Sequence, residues 1–105
     1  MSKEERLREL VAEATIDCYD EEEQFWGMLT ALDDELDFPI AATLIGERVE
    51  LINIDGASSS SHRGIVARVH HKDQEYSVSL ADLQINETNS HNSEWLAAYH
   101  YWLRY

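Results

Sequence analysis

Positive charge is scarce in this chain. Eight Lys and Arg stand against 21 Asp and Glu, a formal net charge of −13 in 105 residues. Such a field repels nucleic-acid phosphate and anionic lipid, so no nucleic acid and no membrane is expected as a partner. Cations and a basic protein partner suit it better. Cysteine occurs once, as Cys18, which excludes an internal disulfide and any zinc site built on several thiolates. Cys18 falls in a helical pattern, where a small packed hydrophobe is favoured over a reactive thiol. No apolar run approaches the ~20 residues of a membrane span. The opening MSKEERLREL is charged throughout and has no signal-peptide core. The expected location is cytoplasmic.

Motifs of the common chemistries are missing too. There is no phosphate-binding P-loop, no dinucleotide glycine fingerprint and no nucleophile elbow. Asp55-Gly56 lacks the flanking acids of an EF-hand. His70 and His71 are adjacent on a strand and point to opposite faces, so they cannot easily share a metal. Ser58–Ser61 beside His62 offers a hydroxyl and a base, but no positioned acid or oxyanion donor. Paired carboxylates can serve as acid and base in glycoside hydrolysis, but that needs a cleft and one carboxyl held neutral by burial. The chain does not read as an enzyme.

What is present is an unusual density of carboxylates. Between Asp17 and Asp37 there are nine, with no Lys or Arg among them. Residues 1–40 hold 13 acids and 3 bases, a net of −10; residues 41–105 hold 8 and 5, a net of −3, and the two sum to −13. The acids fall in two clusters around an apolar stretch. Those near Asp20 complement the positive end of a following helix. Asp33, Asp34 and Asp37 sit at its negative end, where acids are unfavourable, and a local rule broken in this way tends to mark function. Hard divalent cations take oxygen ligands, and free carbonyls at a helix C-terminus add neutral oxygens that calcium accepts. The candidate metal ligands are Asp17, Asp20 and Glu21 in one cluster, and Asp33, Asp34 and Asp37 in the other. Sixteen residues of helix place the clusters roughly 24 Å apart, so two sites are expected rather than one. Trp26, on the same helix, is expected to report on the second cluster.

The length fits a single domain, residues 1–105. Apolar spacings of three and four predict a first helix over 3–18, with Ser2 as cap, and a second from about Glu21 to Leu36. Asp20 followed by Glu23 is a capping-box pattern, and the lone proline, Pro39, closes this acidic helical segment, 1–38. Alternation then predicts strands at Ala41–Ile45, Val49–Ile54, Gly64–His70, Glu75–Leu80 and Leu83–Ile85. Gly46-Glu47 and His71–Gln74 mark turns. Asp55–Arg63 is a polar loop with little reason to be ordered, and 86–92 is a second one. An aromatic helix from about Ser93, capped by Asn92 or Ser93, closes the chain over 93–105. Short strands without intervening helices suit a small SH3-like, partly open antiparallel β-barrel spanning 39–85. The class is α+β: N-terminal helices, barrel, C-terminal helix.

The order of these features resembles the small calcium-binding proteins first described in cyanobacteria. The resemblance rests on YDEEEQFWGML at 19–29, LDDELDFPIAATLIGERVELINID at 32–55, RGIVARVHHKDQEYSVSLADLQI at 63–85 and EWLAAYHYWL at 94–103. Its most telling elements are Leu32, Leu36, Phe38 and Pro39; Gly46, Glu47, Val49 and Glu50; Gly64, Ile65 and Ala67; and Ser79, Leu80, Asp82 and Leu83. The resemblance implies calcium binding without an EF-hand, through an acidic surface, and the leading reading is a calcium buffer or sensor. The alternative is a protein-interaction module, an SH3-like barrel whose acidic surface steers a basic partner.

Overall fold

The computed structural model describes residues 3–85 and 90–104. Elements follow the order α1 (Lys3–Ala14), α2 (Glu21–Glu35), β1 (Ile40–Leu44), β2 (Glu47–Ile54), β3 (Val66–His71), β4 (Gln74–Ser79), β5 (Leu83–Ile85) and α3 (Ser90–Arg104), with short 3-10 turns at Gly56–Ser58 and Leu80–Asp82. Ser2, the expected cap of α1, lies outside the described residues, as do 86–89 of the second expected loop.

The strands form one antiparallel sheet of order β4-β3-β2-β1-β5. Four strands meander, and the fifth returns after a 3-10 turn to pair with the first. This is the SH3-like arrangement the short strands predict, left open between β4 and β5. Both tight hairpins are two-residue turns with positive φ at each position: Ile45 (50°) and Gly46 (79°), then Lys72 (50°) and Asp73 (66°). Positive φ at both positions matches the right-handed twist of the flanking strands. Glycine meets this demand freely at Gly46, whereas Ile45 is a β-branched residue in a left-handed conformation, 94 % exposed. Alternation alone counted Ile45 as strand; it is turn.

The core lies between the sheet and the helices. α2 contributes Phe25, Met28, Leu29 and Leu32; the strands contribute Ile40, Ala42, Leu51, Ala67 and Val69; α3 contributes Trp95, Leu96, Ala98 and Tyr99. α1 buries only Leu10. Inside α2, Gly27 permits the close approach of α1: a Cβ there would lie 2.7 Å from the Ala14 carbonyl oxygen and 3.0 Å from Cys18 Sγ. Cys18 is half-buried, close to the packed role expected of it.

Three local expectations change. α1 stops at Ala14 rather than residue 18: the last helical bond runs from the Thr15 amide to the Val11 carbonyl at 3.0 Å, and Asp17 turns left-handed at φ 61°. α3 starts at Ser90, so Asn92 is a fully buried residue of its first turn and not its cap. The Asp55–Arg63 segment is ordered. Asp55 accepts from the Ser58 amide (3.2 Å) and hydroxyl (2.9 Å), and the buried Ser59 hydroxyl accepts from the Val66 amide at 2.8 Å while donating to the Asp55 carbonyl.

Candidate metal centre

The first acidic cluster is built by the start of α2. Asp20 is its N-cap, with extended backbone, and its Oδ1 accepts from the Glu23 amide at 2.7 Å. Glu23 reaches back to the Tyr19 amide at 2.9 Å, one residue earlier than the usual reciprocal partner. Glu22 accepts from the Trp26 indole N–H at 3.0 Å. The Ser61 hydroxyl, then the Trp26 N–H and the charge of nearby His62, hold the Glu22 carboxyl below its ordinary range. Trp26 thus touches the first cluster directly, through Glu22. Asp20, Glu22 and Glu23 each spend an oxygen on the helix end or its neighbours. Asp17 and Glu21 are exposed and make no such bond among the described residues. The Ser61–His62 loop reaches this site through Glu22, a link without a local sequence signal, because it joins residues about 40 positions apart.

The second cluster stands at the other end of α2, about 22 Å away for a 15-residue helix. The last helical bond runs from the Leu36 amide to the Leu32 carbonyl at 3.0 Å. The next would run from the Asp37 amide to the Asp33 carbonyl. It is not made: Leu36 turns extended (φ −74°, ψ 135°), and the Asp37 amide donates instead to Asn92 Oδ1 at 2.9 Å. Asn92 Nδ2 returns a bond to the Asp37 carbonyl at 3.4 Å. The Asp33 carbonyl is thus left without a backbone donor among the described residues. Asp33, Asp34 and Asp37 all have exposed side chains, and none carries a salt bridge among the described residues. Their neighbour Glu35 does have a partner: His91 Nε2 lies 3.1 Å from its Oε2.

The donor set is oxygen throughout: carboxylates, plus a carbonyl at the second cluster. It suits a hard cation of flexible coordination and offers nothing to thiophilic metals. The six candidate ligands occupy the two ends of α2, and the helix keeps them in separate groups of three. Among the described residues, no three His, Cys, Asp or Glu side chains converge tightly enough to form a ready-made metal shell. Nor is any described helix long and apolar enough to cross a membrane.

A family model described as calcium binding matches residues 8–103. Two solved structures share the fold. The crystal structure of Anabaena CcbP is 24% identical, with a TM-score of 0.82 over 98% of this chain and 92% of that one. A calcium-binding protein in its calcium-binding form is 23% identical, with a TM-score of 0.78 over 96% of this chain and 90% of that one. No curated protein matches the chain.

Proposed function

The chain belongs to this calcium-binding family, and from that premise we propose that it is a Ca2+ buffer or sensor, a binding protein rather than an enzyme, that takes up calcium through the carboxylates at the two ends of α2. The cytoplasm is its proposed place of action. Asp17, Asp20 and Glu21 form one site; Asp33, Asp34 and Asp37 form the other. The observation that carries this reading is the α2 C-terminus, where, among the described residues, three unpaired aspartates meet a negative helix end and a carbonyl without a backbone donor. Without a cation these groups repel one another. With calcium, the repulsion becomes coordination, and no EF-hand loop is needed.

Calcium fits this arrangement better than magnesium. Its coordination number and angles are adaptable, so exposed side chains can swing toward it, whereas magnesium demands near-octahedral geometry. An ion present at 100 times its dissociation constant adds ~2.7 kcal/mol to stability. The test is calorimetry with both ions on the native chain and on Asp33→Asn/Asp37→Asn. Two calcium ions are expected for the native chain and one for the variant, which should also be more stable without calcium because repulsion at the helix end is relieved. Neutralising Asp17, Asp20 and Glu21 should remove the other ion and leave the second affinity nearly unchanged, since the separation exceeds the ~8 Å Debye length. A single ion lost on neutralising either cluster would overturn the two-site arrangement. No calcium heat at millimolar concentration would overturn the reading itself.

A further inference from the structure

A groove of about 470 Å3 runs along the outer side of α2, between it and the end of α1. Its α2 wall is one stripe from Glu23 through Trp26, Thr30 and Ala31 to Asp34 and Glu35. Twelve steps of 1.5 Å from Glu23 to Glu35 give it a length of about 18 Å. Ala14 and Cys18 line it at the point where α1 closes onto Gly27 of α2.

Two properties of the groove point to an occupant. The first is apolar exposure. Ile16 is 72% exposed and Trp26 38%, and both line the groove, with Tyr19 (85%) on the connection between them. Most other large apolar side chains of the chain are buried, so a concentration of exposed ones marks a contact surface. The second is charge. Glu13, Glu23, Asp34 and Glu35 rim the groove, and no Lys or Arg lines it. Four carboxylates around the exposed Ile16 and Trp26 side chains complement a segment that is basic on its flanks and apolar on one face. The Trp26 ring can also take a Lys or Arg cation on its face. A second copy of this chain is a poor occupant, because each copy carries −13 and would be repelled at long range.

We propose that this groove docks a basic amphipathic helical segment of a partner protein, about three turns long, with its apolar face on Ile16 and Trp26 and its Lys or Arg side chains on the four rim carboxylates. Such helix-in-groove recognition is read through apolar anchors one and two turns apart, and the groove is long enough for them.

The test uses a Leu/Lys amphipathic peptide of about 14 residues, the length of four turns, in chelator without calcium, followed by calorimetry and tryptophan fluorescence. One peptide per chain is expected, with affinity falling as salt rises. Ile16→Ser should weaken binding about tenfold, the equivalent of ~1.4 kcal/mol for an aliphatic side chain no longer buried. Glu13→Gln/Asp34→Asn should flatten the salt dependence, whereas Glu50→Gln/Asp82→Asn, which removes equal charge from the sheet, should not. Circular dichroism confirms that these surface variants remain folded. The proposal is overturned if a scrambled peptide of the same composition binds as well, if Ile16→Ser changes nothing, or if sedimentation shows the groove occupied by a second copy. Because calcium is absent throughout, peptide binding and calcium binding stand or fall separately.

Discussion

Asn92 and Asp37 hold each other by two hydrogen bonds across 55 residues of sequence, the amide of one side chain spanning the backbone N–H and C=O of the other residue. Asn92 is wholly buried, so its side chain has no water to turn to in place of Asp37. The pair fixes the exit of α2 against the start of α3 and sets the geometry of the second acidic cluster.

Replacing Asn92 by Ala should therefore be costly. It leaves the Asp37 amide without its partner and opens space in a packed region. A buried polar group left unsatisfied costs about 1–3 kcal/mol. Urea unfolding should show a loss in that range, with the second calcium affinity falling as the Asp37 backbone is released. An unchanged midpoint would mean that the Asp37 amide readily regains the Asp33 carbonyl.

Gly27→Ala poses a contest of known sign. Alanine is favoured over glycine within a helix by about 1 kcal/mol. Against this, the new methyl would stand 2.7 Å from the Ala14 carbonyl oxygen, backbone that cannot rotate away. Overpacking of this kind costs typically 1–3 kcal/mol, so a net loss of stability is expected. A thermal melt that rises instead would show that α1 can shift outward freely.

Acid should find a specific weak point at Asp55. The Ser58 hydroxyl, the Ser58 amide and the charge of Arg68, 3.5 Å away, hold its carboxyl below the ordinary aspartate range. A carboxyl depressed by folding adds stability above its unfolded pKa, and that stability is lost as pH falls through the folded value. Asp55→Asn should then melt lower than the native chain at neutral pH, and the gap should close as the pH drops below the usual aspartate range. A gap that stays constant with pH would assign the Asp55 contribution to shape rather than charge.

The elements most legible in the sequence are those decided locally. The Asp20–Glu23 cap, the Pro39 boundary and the hairpin at His71–Gln74 depend on residues within a few positions of one another. What was hidden depends on distant partners. α1 stops early because Asp17 turns left-handed, although the apolar spacing runs on to Cys18. The order of the Ser58–Ser61 segment needs Val66 to donate to Ser59, and the burial of Asn92 needs the end of α2. The acids themselves were easy to locate. Which of them keep an oxygen free could not be read, because that depends on partners such as the Trp26 indole and His91.

β2 is longer than either partnership it enters. Residues 47–51 pair with β1, and 50–54 with β3, with the register shifting between Leu51 and Asn53. Only Glu50 and Leu51 are flanked by a partner on both sides. They act as the spine of an open book whose two covers are β1 with β5 and β3 with β4. Either cover can loosen at its outer margin without disturbing the other, but the spine is exposed only when both have gone. Deuterium should therefore enter the edges of β4 and β5 early and reach Leu51 last, at the rate of global unfolding.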